Sequence, residues 1–156
     1  ESDCDYMLHL ESDILPQRDV IERLLEARRP IVNALYQILD GANRTPCIAL
    51  QDKNNPYWKY FRFYKQSSHF YHSFVNGKVQ PTHIAGIGCC LMKRKVMQNF
   101  EFRVPADGIN PPDTYFAEDL SLKGVQNWVH TGVHAFHYNR EDWGRHFELI
   151  DYHKSE

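Results

Sequence analysis

The sequence predicts an α/β domain. Three observations lead there. The short, mostly apolar run Asp5–Leu10 reads as a strand; the next segment sets Val20, Ile21, Leu24 and Leu25 on one helical face, with Asp19, Glu22, Arg23 and Glu26 turned outward; and further apolar runs alternate with helical patterns along the chain. Strands that alternate with helices are the pattern of an α/β layer structure. A chain of 156 residues can bury one real core and is too short for two, so a single domain over residues 1–156 is expected.

Taken in order, the first strand stops at Glu11-Ser12-Asp13, and Pro16 suits the first turn of a helix, where its missing N–H costs nothing. That helix is expected to end at Arg28-Arg29-Pro30, before a second strand over Ile31–Leu39 and a turn at Asp40-Gly41-Ala42-Asn43. Asn54-Asn55-Pro56 reads as a turn, and the aromatic run Tyr57–Phe74 is compatible with strand, helix or loop. Asn76-Gly77 has hairpin-turn composition. His83–Met92 is small and apolar, with Gly86 and Gly88 allowing backbone to approach a ligand closely. Lys93–Phe100 predicts a short helix, Pro105–Pro112 a loop, Thr114–Val125 a helix formed from about Phe116 and ending at Gly124, Trp128–Tyr138 a last strand, and the chain from Asn139 a polar tail.

Composition excludes several classes. The formal net charge of −2 argues against a nucleic-acid partner held electrostatically. No apolar run approaches the roughly 20 residues that span a bilayer, so no membrane segment is expected. Localisation stays open between cytoplasm and secretory lumen. Cys4, Cys47, Cys89 and Cys90 show no C-x-x-C spacing, which speaks against a zinc knuckle and for buried thiols. The chain opens without Met and without a basic, apolar leader, and a piece of a longer protein is the expectation.

Four patterns carry chemistry, and each has a purely structural alternative. Glu11 and Asp13, two residues apart beyond a buried strand, suit a divalent cation at a sheet edge, but a cap on the following helix by Ser12 or Asp13 is the commoner reason for such an acidic turn. Glu118 and Asp119 open a helix after a Gly/Pro loop, which suits a general base or simply complements the helix dipole. Gly86-Ile87-Gly88 lacks the third glycine of a dinucleotide fingerprint, and the following Lys93 and Arg94 reach either phosphate or solvent. His134 and His137 stand an odd number of residues apart, so a regular strand points them to opposite faces and they cannot share one ion.

In order and spacing, these motifs resemble the second half of GT-A glycosyltransferases, especially the family-2-like enzymes. The acid-x-Asp strand end comes first, then an amphipathic helix and the strand Pro-Ile-Val-Asn-Ala-Leu-Tyr. A glycine pair leading into Leu-Met-Lys-Arg, the Glu118-Asp119 pair and a late histidine strand follow. The resemblance runs over roughly residues 4–138 and is weakest over 51–80. It implies a GT-A-like, Rossmann-like mixed sheet flanked by helices and truncated at its N-terminus, because the nucleotide-binding βαβ half has no room. It implies transfer of a sugar from a nucleotide-diphosphate donor to a carbohydrate, protein or lipid hydroxyl. Asp13 would bind Mn²⁺ or Mg²⁺, aided by Glu11 and by His137 or, second, His134. Glu11, Asp13, Gly86 and Gly88 would face the donor, and Asp119, with Glu118, would act as base. Glu11 departs from the family pattern, in which Asp is commoner at that position. A non-catalytic domain binding carbohydrate or a protein partner is the second reading. A His/Asp metallohydrolase is the third, without an H-E-x-x-H motif to support it.

Overall fold

A computed structural model describes residues 4–40, 43–51, 60–62, 73–103 and 112–138. The expected turn at Asn54-Asn55-Pro56, most of the aromatic run Tyr57–Phe74, nearly all of the Pro105–Pro112 loop and the tail from Asn139 lie outside these residues.

The chain begins with β1 (Tyr6–Leu10), β2 (Ile14–Pro16) and α1 (Val20–Glu26), followed by β3 (Ile31–Leu35) and β4 (Gln37–Asp40). Then come β5 (Asn43–Pro46), β6 (Ile48–Gln51), β7 (Tyr60–Arg62), β8 (Val79–Thr82), β9 (Ile84–Ala85) and β10 (Cys89–Lys93). Two helices, α2 (Arg94–Asn99) and α3 (Pro112–Leu122), precede the long strand β11 (Asn127–His137). The main six-stranded sheet runs β1-β10-β3-β11-β2, with β8 also paired to β11. A β4–β5 ladder and a β7-β6-β9 sheet complete the strands.

Strand directions correct the predicted fold class. Among the described residues only β3 and β11 pair in parallel; β1 with β10, β10 with β3, β11 with β2 and β11 with β8 are all antiparallel. One continuous segment, β1 through Glu11–Asp13 into β2, supplies both ends of the strand order, so the sheet curls into a nearly closed barrel. It is not the open, Rossmann-like GT-A sheet that the family resemblance implied, and among the described residues only short helices flank it. The physical reason is that apolar periodicity reports burial and not strand direction, which long-range pairing decides.

β11 makes this closure possible. Its first residues lie between β3 and β8, the β3 register shifts between His130 and His134, and Ala135–His137 then pair with Pro16–Ile14. A bulge of this kind bends a strand so that it can change partners.

Several local expectations are corrected by the same pairing. Pro16 closes strand β2 instead of opening a helix, and α1 starts four residues later at Val20. The cap reading of Ser12 and Asp13 falls with it, since the residue preceding α1 is Asp19. The predicted strand Ile31–Leu39 is divided at Tyr36 into β3 and β4. Asn76-Gly77 is a bend leading into β8, whose partner is β11, and it does not join a hairpin. The last helix begins at Pro112, a residue suited to a first turn. It ends as its composition predicts. Gly124 adopts φ 71°, and Val125 N–H donates to the Leu120 carbonyl at 2.8 Å, a C-terminal glycine motif.

The core follows strand alternation. In β3 and β10, Val32, Ala34, Cys89 and Leu91 pack with Val20 and Leu24 of α1. Ile31, Cys90 and Met92 point the other way, against Val96, Phe116 and Leu120 of α2 and α3. Both faces of these strands are therefore buried, which accounts for their continuous apolar runs.

Candidate functional site

Where β1 passes into β2, the backbone is tied to two neighbouring strands. Glu11 N–H donates to the Gly88 carbonyl at 2.9 Å, and Tyr138 N–H donates to the Asp13 carbonyl at 2.8 Å. These bonds place the acidic triplet at the seam of the nearly closed sheet. The Asp13 carboxylate lies 3.4 Å from Nε2 of His137, whose ring packs 5.8 Å from that of Tyr36.

Glu11 is exposed as a residue, yet its carboxyl lies over Gly88, beside Ile14. Partial burial, reinforced by the negative charge of Asp13, raises its pKa above the ordinary 4.5. Asp113 adds to this, while His9 and His137 oppose it. A proton is thus held more tightly by the folded chain than by the unfolded one. The associated stability is complete below pH 4.5 and is lost as pH rises through the higher folded value. Glu11→Gln is expected to raise the melting temperature at pH 7, with the gain vanishing below about pH 4.5. A gain that instead grew toward acid would contradict this electrostatic picture.

His9 and Asp113 belong to this neighbourhood and were missed by the sequence reading. His9 had a local signal, because residues two apart on an extended segment share a face with Glu11. Its Nδ1 donates to the Ile87 carbonyl at 2.7 Å. Asp113 had none, since its approach to Glu11 spans about a hundred residues of sequence. Beside His9 stands Phe102, 38% exposed, at 5.6 Å between ring centroids and stacked on Phe116 at 4.5 Å.

Other predicted site residues have different surroundings. His134 is exposed, and its backbone N–H donates to Gln17 Oε1 at 2.8 Å, on the opposite strand face from His137. Arg103 grips Asp119 through two hydrogen bonds, of 2.9 and 3.0 Å, and so holds this carboxyl below the usual range. A general base needs the reverse shift. Glu118 lies next to this pair on α3 and within the electrostatic reach of Arg103. Gly86 and Gly88 do admit a close approach, but by the protein's own side chains. A Cβ on Gly86 would overlap the Tyr36 hydroxyl and meet Cys47 Sγ at 2.5 Å; one on Gly88 would meet Ile14 Cγ1 at 2.8 Å. The buried Cys89 thiol is pushed up to about 11, and that of Cys90 is also raised, so both act as small hydrophobes. No described helix is long and apolar enough to cross a membrane.

Fold and seam together define a small β-rich domain whose sheet nearly closes on itself. No family model and no curated protein matches the chain. Among solved structures it is similar to A197 from STIV, with a TM-score of 0.53 and 16% identity, over 89% of this chain and 60% of that one. At this identity the likeness is one of fold.

These findings overturn the GT-A glycosyltransferase reading. The nearly closed sheet and the likeness to A197 replace the open GT-A sheet. Among the described residues no group of three or more His, Cys, Asp or Glu side chains is arranged to hold a metal ion, and no GT-A-like catalytic architecture is present. The assignment as a metal-dependent, nucleotide-sugar-using enzyme is therefore withdrawn, and with it the DxD-like label for Glu11–Asp13.

Proposed function

We propose that this domain binds a carbohydrate without transforming it, through a divalent cation at Asp13 and an aromatic face at Phe102. The observation that carries this reading is the 3.4 Å approach of Asp13 and His137 at the seam, with the Glu11 carboxyl in electrostatic reach and disfavoured as an anion by burial and by Asp13. A cation relieves that repulsion. The donor set suits Mg²⁺ or Mn²⁺: Mg²⁺ commonly uses one or two carboxylates and keeps several waters, so it needs no preformed three-ligand cage, and an imidazole adds a donor that Mn²⁺ tolerates. Asp13 and His137 would hold the ion, Glu11 would join directly or through water, and sugar hydroxyls would displace remaining waters. Phe102 supports this ligand class because an exposed, stacked ring offers a flat apolar face to the C–H side of a sugar.

Titration with Mn²⁺, followed by paramagnetic broadening of the His137 ring resonances, tests the cation. Saturable broadening is expected in the wild type, and Asp13→Asn should weaken it at least tenfold. Equal broadening in both proteins would sink the proposal. For the ligand, a panel of monosaccharides with and without Mg²⁺ should show cation-dependent binding that Phe102→Ala weakens.

A further inference from the structure

The bend ahead of β8 holds the single Asn-Gly pair of the sequence, Asn76-Gly77, and both residues are exposed. The Asn76 carboxamide is fixed in place there. Its Oδ1 accepts from Lys78 N–H and from Gln80 Nε2, each at 3.1 Å, and its Nδ2 donates to the Ser73 carbonyl at 3.2 Å. The bond from Lys78 N–H closes a ring around Gly77 and so folds the carboxamide carbon back over the Asn76–Gly77 peptide. Two donors on one oxygen also polarise the carbonyl and stabilise negative charge that develops on it.

The neighbouring nitrogen is open to reaction. Gly77 N–H makes no hydrogen bond among the described residues, and apart from chain neighbours nothing lies within 4 Å of the place a Cβ would take. Glycine itself puts no side chain beside that nitrogen. We propose that Asn76 is a site of spontaneous deamidation through a cyclic imide. Gly77 N gives up its proton to solvent and bonds to Asn76 Cγ. The Cγ–Nδ2 bond breaks, and Nδ2 takes a proton from solvent and leaves as ammonia. Water then opens the imide, at Cγ to leave aspartate, or at the main-chain carbonyl to leave isoaspartate with the chain running through Cγ.

Isoaspartate adds a methylene to the main chain where the bend rests on β11. The Lys78 carbonyl there accepts from Thr131 N–H at 2.9 Å and from Thr131 Oγ1 at 2.8 Å, and a Cβ on Gly132 would meet the Gly77 carbonyl oxygen at 2.8 Å. The contact has no slack, so the longer chain displaces the bend and loosens the start of β8 from β11. This site is formed by different elements from the seam at Glu11–Asp13, and neither reading rests on the other.

The test is to age the wild-type protein in mildly alkaline buffer, folded and in urea, and to follow the tryptic peptide ending at Lys78 by mass spectrometry. Conversion in the folded protein should be as fast as in urea or faster. Conversion at least tenfold slower in the folded protein would overturn the proposal, because the bend would then protect Asn76. Gly77→Ala, which sets a methyl group beside the attacking nitrogen, should slow conversion at least tenfold; an unchanged rate would mean that Gly77 N is not the nucleophile. The isoaspartyl fraction, separated by chromatography, should melt below fresh protein, while Asn76→Asp, which keeps both donors to Oδ1, should melt close to it. An isoaspartyl fraction that melts with fresh protein would overturn the stated effect on β8.

Discussion

Phe116→Ala is expected to lower the stability of the domain by about 3–5 kcal/mol, the range for truncating a buried aromatic residue. Phe116 is fully buried, stacked on Phe102 at 4.5 Å and in edge contact with Phe100 at 6.1 Å. It also belongs to the cluster of Ile31, Met92, Val96 and Leu120 that fixes α2 and α3 to the sheet. Alanine would remove both ring contacts and leave a cavity that two short helices cannot collapse to fill. For a chain of this size the melting temperature should fall by an amount on the order of 10 °C. Urea unfolding measures the loss directly; a change below about 1 kcal/mol would mean that α3 is not anchored through this ring. Phe116→Leu should recover part of the loss because it refills most of the volume. Since Phe102 rests on Phe116, the alanine variant should also weaken carbohydrate binding if Phe102 is the sugar platform. Phe116→Leu, which restores bulk without the ring face, separates packing from stacking.

The second large effect is expected at Gly86. A methyl group there would collide with the Tyr36 hydroxyl and with Cys47 Sγ, so Gly86→Ala should cost about 3 kcal/mol, the upper part of the overpacking range. The backbone allows little retreat. Gly86 N–H donates to the Cys47 carbonyl at 2.8 Å, and Cys47 N–H donates to the Tyr36 carbonyl at 2.9 Å. A double-mutant cycle with Tyr36→Phe provides the check. Removing the hydroxyl deletes the nearest obstacle, so the glycine substitution should cost less in the Tyr36→Phe background than in the wild type. Additive losses would falsify the steric account. Because Tyr36 also packs against His137, a displaced ring should perturb the His137 resonances in Gly86→Ala.

Much of the local structure could be read from the residues. The helix stop at Gly124, the short helix after Lys93 and the strand near Trp128–Tyr138 follow from glycine geometry and apolar periodicity, which act over a few residues. Pro16 misled for a physical reason. Proline fits a first helical turn and a strand end equally well, and its pairing with Ala135, far along the chain, selected the strand. Tyr36 interrupts an apolar run that looked continuous, because β3 and β4 belong to different sheets. At the candidate site, residues two apart on one segment could be found together, as Glu11 and Asp13 were. Asp113 and Phe102 could not, since only folding brings them to His9 and Glu11.

By itself, the sequence determined which segments are buried, where α3 ends, and that two carboxylates stand at the end of the first strand. Those properties depend on side-chain chemistry and on spacings of a few residues. Tertiary structure alone decided strand direction, the closure of the sheet through Glu11–Asp13, and the partners of the predicted site residues. It set Asp13 beside His137, tied Asp119 to Arg103, and filled the space above Gly86 with Tyr36. The GT-A reading failed at this level. A motif order can be retained on the page while long-range pairings, which no local periodicity encodes, assemble a different sheet.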